Sequence, residues 1–127
     1  MRSKGLGVKR AHHGLKSWQE AMELVKMIYK NSSSFLEEDN YGLKSQIRRA
    51  AISIPSNMAE GAARNGSKEF LQYLSISCGS LSEVETQTLI AKDLGYIKNP
   101  EQILEQIDKS FGLLGGLINS HRERNKK

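Results

Sequence analysis

Cysteine, aromatic residues and long apolar runs are scarce in this chain, and each scarcity excludes a class of protein. The single cysteine, Cys78, has no partner for an intrachain disulfide and suits a reducing compartment, so we expect a cytoplasmic protein. Aromatic residues make up only 6% of the chain, which argues against sequence-specific recognition of single-stranded RNA by base stacking. No apolar run approaches the roughly 20 residues that span a bilayer, and the basic N-terminus lacks the apolar segment of a secretory signal. We therefore expect no membrane partner.

Charge is plentiful but unevenly distributed along the 127 residues, a length that fits one domain. The net charge is +5, yet residues 1–16 alone carry five basic residues and no acid. Residues 121–127 carry four basic residues and one acid, so the body, residues 17–120, has a charge of −3. Any attraction to polyanions thus belongs mainly to two basic tails, 1–16 and 121–127, on either side of one folded body.

Apolar residues recur at intervals of three and four positions in four segments, the pattern of amphipathic helices, and no segment predicts a strand of useful length. Short connections favour antiparallel neighbours. The sequence therefore predicts an all-α protein, an up-down-up-down antiparallel four-helix bundle over residues 17–120. Signals for helix starts, such as a capping-box spacing or proline after an N-cap, stand at Ser17, near residues 39–41, at Ser67 and at Asn99–Pro100.

Two of the predicted helices contain residues that ordinarily weaken a helix. Pro55 removes a backbone hydrogen bond, at a cost of about 3 kcal/mol unless the helix bends. We expect helix two to be continuous but kinked at Pro55, and two helices broken at Ile54 are the alternative. Each glycine inside helix four costs about 1 kcal/mol relative to alanine. We expect close approach of a neighbouring backbone to explain Gly112, Gly115 and Gly116.

Helices three and four carry more apolar residues than one core-facing stripe requires. Helix three has a second apolar stripe beside its main one, and helix four has three additional leucines. A wider apolar face indicates either a broad core or a subunit interface, and the residue types alone do not decide between them. The candidate interface residues on helix three are Tyr73, Ile76, Val84 and Ile90.

Polar residues form a stripe beside the apolar face of helix two. One interpretation is a solvated boundary with a Glu60–Arg64 pair worth about 0.3 kcal/mol. The other is a polar contact with a second subunit, or a groove whose arginines face phosphates. Glu85 falls within the apolar face of helix three, so we expect a partly buried ion pair with Arg48 or Arg49. The residues of this polar stripe are Gln46, Arg49, Ser53, Asn57, Glu60 and Arg64.

No constellation for catalysis or metal binding emerges. Residues 61–68, GAARNGSK, resemble a phosphate-binding P-loop only superficially, because the lysine and the hydroxyl residue are transposed and no strand precedes the loop. His12, His13 and His121 lie outside the predicted helical stripes, and an adjacent histidine pair chelates poorly without further ligands. Cys78 has no histidine nearby in sequence to activate it. We therefore expect no enzymatic activity, no cofactor and no metal.

Three segments carry a resemblance to a known family: residues 41–61 (YGLKSQIRRAAISIPSNMAEG), 79–87 (GSLSEVETQ) and 94–96 (LGY). In order and spacing they resemble the four-helix-bundle proteins encoded within 23S rRNA intervening sequences, over residues 15–118. The accessory variability proteins of diversity-generating retroelements look like relatives of the same group. The resemblance implies a bacterial four-helix bundle that assembles into a homo-oligomeric ring, a pentamer with a central channel. The residues that match the signature of the longest segment are Tyr41, Gly42, Leu43, Gln46, Ile47, Arg48, Arg49, Ala50, Ala51, Ser53, Ile54, Pro55, Asn57, Ala59, Glu60 and Gly61.

The residues and the resemblance together predict a non-enzymatic, homo-oligomeric bundle, pentameric by the resemblance, that acts as an RNA- or nucleic-acid-associated accessory protein. Its contacts with structured RNA or DNA should be electrostatic and shape-driven. The alternative is a protein-interaction scaffold ring without a direct nucleic-acid role, such as the partner of a reverse transcriptase. The candidate phosphate contacts are Lys44, Arg48, Arg49, Arg64 and Lys68.

Overall fold

The computed structural model describes residues 10–35 and 42–126. Within these ranges the chain is helical and contains no strand, so the predicted all-α class is confirmed. A single turn of 3-10 helix, Ala11–Gly14, precedes the α-helices, none of which is long and apolar enough to cross a membrane. The α-helices are α1 (Lys16–Ser32), α2 (Leu43–Ala62), α3 (Ser67–Asp93) and α4 (Glu101–Lys126).

Each α-helix packs on its neighbours in the sequence, and α4 also packs on α1. This neighbour order is the one that an up-down-up-down bundle requires, while the alternating helix direction itself stays a prediction. The core lies between the four helices, and burial of each large aliphatic side chain there contributes roughly 1.5–3 kcal/mol. The largest core residues are Leu24, Ile28, Ile47, Ile54, Met58, Leu74, Leu81, Ile103, Ile107 and Leu114.

Three helix starts differ by one or two residues from the predicted ones. α4 begins at Glu101, although Pro100 was expected in its first position. α1 begins at Lys16, so Ser17 is a buried residue of the first turn, and no side chain caps this end. α3 begins at Ser67 itself, and the preceding Gly66 has a φ of +117°, which L side chains rarely adopt. The predicted start of the second helix at residues 39–41 lies outside the described residues.

α2 runs without a break although Pro55 lies in its interior, so the alternative of two helices broken at Ile54 is wrong. Pro55 is buried. The Ser77 hydroxyl of α3 donates a hydrogen bond to the Ile54 carbonyl at 2.8 Å. Packing and this bond attach the proline segment to α3 and offset the weakening that proline causes inside a helix. The kink expected at Pro55 stays a prediction.

A close contact between α2 and α3 depends on one glycine. A Cβ atom placed on Gly61 would lie 2.6 Å from the Cβ of Tyr73, far inside van der Waals contact. Small side chains line the same helix pair, where the hydroxyls of Ser53 and Ser80 are hydrogen-bonded to each other. Any side chain larger than hydrogen at position 61 would therefore force the two helices apart.

The glycines of α4 do not have the role predicted for them. A Cβ atom at Gly112, Gly115 or Gly116 would meet no other atom of the described residues within 4 Å. The close backbone approach expected at these positions is therefore wrong within the described part of the chain. Gly112 and Gly116 instead lie on the exposed face of α4.

Candidate nucleic-acid interface

Residues far apart in sequence meet at one end of the bundle. His12 and Leu15, which precede α1, line the same cavity as Arg64 and Phe70 from either side of the α2–α3 turn. His121, near the end of α4, lines it too. Residues of the two basic tails, 1–16 and 121–127, are therefore neighbours in space. We call this region the tail end and define it as residues 10–16, 60–70 and 119–124.

The end of α1, the start of α2 and the connection between α3 and α4 form the other end. The ring centroids of Phe35 and Tyr96 lie 5.3 Å apart across it. Asn31 and Ser34 share a cavity with residues 94–99. We call this region the loop end and define it as residues 29–35, 42–49 and 92–101.

The five candidate phosphate contacts divide between these two ends. Arg64 and Lys68 belong to the tail end, while Lys44, Arg48 and Arg49 belong to the loop end. Arg49 precedes the last residue of α2, Ala62, by about 20 Å of helix at a rise of 1.5 Å per residue. One compact phosphate-binding surface cannot include all five residues.

Basic residues outnumber acidic ones at the tail end. Its cations comprise Arg10, Lys16, Arg64, Lys68, Arg122 and Arg124, and its acids comprise Glu60, Glu69 and Glu123. Residues 1–9, which the sequence places directly before Arg10, add three more basic residues and no acid. Positive charge from three separate parts of the sequence is thus gathered in one place, which raises the local attraction for polyanions.

Arg48 is engaged inside the loop end and is not free to bind a phosphate. Its Nε donates a hydrogen bond to the Ser32 hydroxyl at 2.7 Å, and its Nη2 donates one to the Tyr29 carbonyl at 3.1 Å. Its guanidinium carbon also lies 4.4 Å from the centroid of the Tyr29 ring. Because the last carbonyls of a helix lack intrahelical donors, Arg48 acts as a cation at the C-terminus of α1. Its role is to join α2 to α1.

Arg64 forms the pair predicted with Glu60. Its Nη2 lies 2.7 Å from Glu60 Oε2 and donates a second hydrogen bond to the Tyr73 hydroxyl at 2.9 Å. The hydrogen bond with Glu60 raises the pKa of the Arg64 guanidinium above its ordinary value. Both side chains of the pair are about half exposed, so it is weak and leaves Arg64 accessible.

Much of the polar stripe of α2 faces α3. Gln46, Arg49 and Ser53 line a groove of about 430 Å³ together with Glu83 and Gln87 of α3. Asn57 does not reach across, since its side-chain amide donates to the Ser53 carbonyl at 2.8 Å within α2. Within the described residues the stripe therefore acts largely as a polar boundary between two helices, and the Glu83 carboxylate in the groove makes it a poor phosphate site.

Two residues of α3 differ from their predicted roles. Glu85 is only half-buried, and the expected ion pair with Arg48 or Arg49 is not formed, because Arg48 binds the end of α1 instead. Val84, predicted at a subunit interface, is 0% exposed and belongs to the core of the single chain. It lies three residues from Leu81 on the face that packs against the other helices.

The other candidate interface residues differ in exposure. Ile76 and Ile90 are 51% and 44% exposed, and Leu94 beyond the end of α3 is 58% exposed. Tyr73 is half-buried, packs beside Gly61 and hydrogen-bonds Arg64, so it contributes to the fold of the single chain. We define the outer apolar surface of α3 as Ile76, Leu89, Ile90 and Leu94.

A polar cluster around Glu20 joins α1 to α4. Apart from the spacing of Lys16 and Glu20, nothing in the sequence predicted it. Gln106 donates to both the carbonyl and the carboxylate of Glu20 at 2.9 Å. Lys16 and Lys109 lie 2.9 and 3.3 Å from the same carboxylate. These contacts lower the pKa of Glu20 to about 2, and the hydrogen bond from Gln106 contributes most.

Reactive groups are sparse in the described residues. No group of three or more histidine, cysteine, aspartate or glutamate side chains is placed to hold a metal ion there. Burial raises the pKa of the Cys78 thiol, because the thiolate would lose hydration. A neutral thiol is a poor nucleophile, so Cys78 is best described as a small packing residue.

The family of the chain follows from a match that covers most of its length. The family model described as 23S rRNA-intervening sequence protein matches residues 13–120, which include all four helical stripes and the close α2–α3 contact. No curated protein matches the chain. With its four packed helices and this match, the chain belongs to the family of 23S rRNA-intervening sequence proteins.

Proposed function

We propose that this protein is a non-enzymatic, homo-oligomeric accessory protein that binds structured RNA through the tail end of its bundle. One observation carries the proposal: the α2–α3 turn and residues of both basic tails line one cavity. The family name supports RNA as the polyanion, since it refers to intervening sequences of 23S rRNA.

Phosphate contact at the tail end requires only charge and access. Lys68, Arg122 and Arg124 are exposed, and Arg64 is accessible despite its pair with Glu60. Cations of this kind displace counterions from the RNA backbone, a sequence-independent source of affinity that weakens as salt rises. The loop end has as many basic residues, but Arg48 is bound to the end of α1 and Arg49 faces a groove that contains Glu83. Only the tail end is continued in the sequence by further basic residues on both sides.

Salt titration of RNA binding tests the proposal. Full-length protein is titrated into a structured RNA and a DNA duplex of equal length, with affinity measured at several salt concentrations. The logarithm of the affinity should fall linearly with the logarithm of salt concentration, at roughly 0.7–0.9 per neutralised phosphate. Absence of binding to both nucleic acids at low salt contradicts the proposal.

Self-association is the second part of the proposal, and the outer apolar surface of α3 supports it. Three of its members, Ile76, Ile90 and Leu94, fall on one side of α3 and its end, and such a row of exposed large apolar side chains exceeds what a solvated helix face ordinarily carries. The family resemblance suggests a pentamer. Ile76→Lys with Ile90→Lys should convert the assembly to a smaller species in sedimentation velocity, because a lysine in an apolar contact is left without a partner. The control, Gln102→Lys on the exposed face of α4, should leave the assembly unchanged.

The same exposed surface favours a second candidate function, a scaffold that binds another protein without contacting nucleic acid. Under this alternative the α3 variant loses the protein partner, while neutralisation of tail-end charge has no effect on function. The salt titration separates the two candidates, because a scaffold without nucleic-acid affinity gives no binding even at low salt.

A further inference from the structure

A cavity of about 380 Å³ lies at the tail end between the 3-10 helix, the α2–α3 turn and α4. Its size falls in the range of small-molecule pockets, roughly 300–1,000 Å³. Leu15, Ala62 and Phe70 supply apolar wall. The polar side chains that line it include His12 and His121. An apolar pocket with a few polar groups is typical of a binding site for a planar organic group.

Ring-to-ring contacts hold the imidazoles of this cavity in place. The His121 ring stands edge-on to Phe70, with centroids 4.8 Å apart and an interplanar angle of 89°. The His12 ring contacts Trp18 in a similar way, with centroids 5.0 Å apart. Such T-shaped pairs restrict the orientation of each ring and preform the pocket wall.

In the described part of the chain, one of the two histidines, His121, lacks a partner that a buried polar atom ordinarily has. His121 Nδ1 is buried without a hydrogen-bond partner among the described residues. Burial lowers the pKa of both His12 and His121 below the ordinary value of 6.5, so both rings are predominantly neutral at about pH 7. A neutral imidazole has one donor and one acceptor nitrogen. It therefore suits an uncharged hydrogen-bonding edge better than a bare phosphate.

We propose that this pocket binds an unpaired nucleobase of RNA, with the flanking phosphates held by the surrounding tail-end cations. Flat rings, apolar walls and neutral donor–acceptor groups match the chemistry by which proteins bind unpaired bases. Arg64 lines the pocket, and Lys68 and Arg122 follow pocket residues directly in sequence, so charge for the backbone is adjacent. The inference rests on the proposed RNA binding and adds the part of the RNA that is recognised.

A nucleoside titration tests the pocket without involving RNA. 2-Aminopurine riboside is added to the full chain, and the imidazole NMR resonances of His121 are followed. They should shift with saturation for wild type and for Ala63→Leu, and should not shift for Ala62→Leu. Ala62 lines the cavity and a leucine there fills it, whereas the adjacent Ala63 is exposed and does not line it. No shift in wild type, or an equal shift with ribose 5-phosphate, overturns the inference.

Two RNA duplexes separate failure of this inference from failure of the proposed function. One is blunt and the other has a single unpaired 3′ nucleotide on each strand. The overhang should raise affinity about tenfold for wild type, in line with the strength of base stacking on rings, and this gain should vanish in Ala62→Leu. Equal affinity for both duplexes overturns the pocket and leaves electrostatic RNA binding intact. No binding to either duplex at low salt contradicts both.

Discussion

The two ends of this bundle contain similar residue types and use them differently. At the loop end, Arg48 is bound to the carbonyl and side chains that finish α1, and the rings of Phe35 and Tyr96 pack together. At the tail end, Arg64 remains accessible, and the rings of Phe70 and His121 line a cavity. Arg48 of α2 is therefore a structural residue at one end, while Arg64, just beyond α2, is a candidate phosphate contact at the other. Position in the bundle, and not residue type, decides the role of each arginine.

The difference has a physical cause in the backbone each end must accommodate. The loop end receives the C-terminus of α1, whose last carbonyls need donors. Arg48 donates one hydrogen bond to the Tyr29 carbonyl and another to the Ser32 hydroxyl. The tail end is joined only by the short turn 63–66, in which Gly66 adopts a φ of +117°. The segment before α1 packs over this end instead, and its residues His12 and Leu15 form part of the cavity wall.

The largest effect is expected from Gly61→Ala, which separates α2 from α3 at the tail end. The added Cβ would lie 2.6 Å from the Tyr73 Cβ, so backbone must move, and we expect a loss of about 2 kcal/mol in unfolding free energy. Gly112→Ala is the matched control, since its Cβ meets nothing within 4 Å, and it should stabilise by about 1 kcal/mol. Urea denaturation measures both, and equal effects would show that the contact at Gly61 is not tight.

The substitution Arg48→Met should lower the stability of the protein by removing contacts at the loop end only. It removes two hydrogen bonds and the stacking on Tyr29 while keeping most of the aliphatic length, so we expect a loss of about 1–2 kcal/mol in stability. Arg49→Met, at the adjacent exposed position, should change stability by less than about 0.5 kcal/mol. If thermal denaturation showed the two variants to be alike, the proposed role of Arg48 at the end of α1 would be wrong.

The smallest effect on stability is expected from replacing Glu20. Its contacts join α1 to α4, the two helices next to the basic tails. Because its folded pKa of about 2 lies below the ordinary 4.5, the carboxylate stabilises the fold above pH 4.5, and this stabilisation is lost as the pH falls towards 2. The melting temperature of Glu20→Gln should therefore be lower than that of wild type at about pH 6, with the gap closing below pH 4.5.

Glu23→Gln is the control for this pH dependence, since Glu23 pairs only with Lys26 of its own helix and both are exposed. Its melting temperature should remain close to that of wild type throughout the same titration. If the difference in melting temperature between wild type and Glu20→Gln stayed constant down to about pH 2, the lowered pKa of Glu20 would be contradicted.

Periodicity was sufficient to predict the four helices, because the spacing of large aliphatic residues reports directly on a buried helix face. The same criterion misplaced Val84. The buried face of α3 includes Ser77, Ser80 and Ala91 beside Leu81, and the two serines are hydrogen-bonded to α2. A prediction from hydropathy counts small polar residues as surface residues. The predicted buried face of α3 was therefore rotated away from the true one, and Val84 fell outside it.

The candidate site was less predictable, since it depends on which ends of helices meet. The sequence identified the tails as basic and singled out Arg64 and Lys68. It gave no signal that His12 and His121 line one cavity, because nothing local relates residues so far apart in sequence. The partner of Arg48 was likewise inaccessible, since a backbone carbonyl leaves no trace in the sequence.

One comparison of charge-neutralised variants tests the central claim most directly. The tail-end variant replaces Arg64, Lys68, Arg122 and Arg124 with glutamine, and the matched loop-end variant replaces Lys44, Arg49, Lys92 and Lys98 with glutamine. Salt titrations of structured RNA should show a shallower slope and weaker binding for the tail-end variant, by up to roughly one unit of slope per cation removed. The loop-end variant should retain nearly the slope of wild type. Equal losses in the two variants, or a greater loss at the loop end, would contradict the assignment of RNA binding to the tail end.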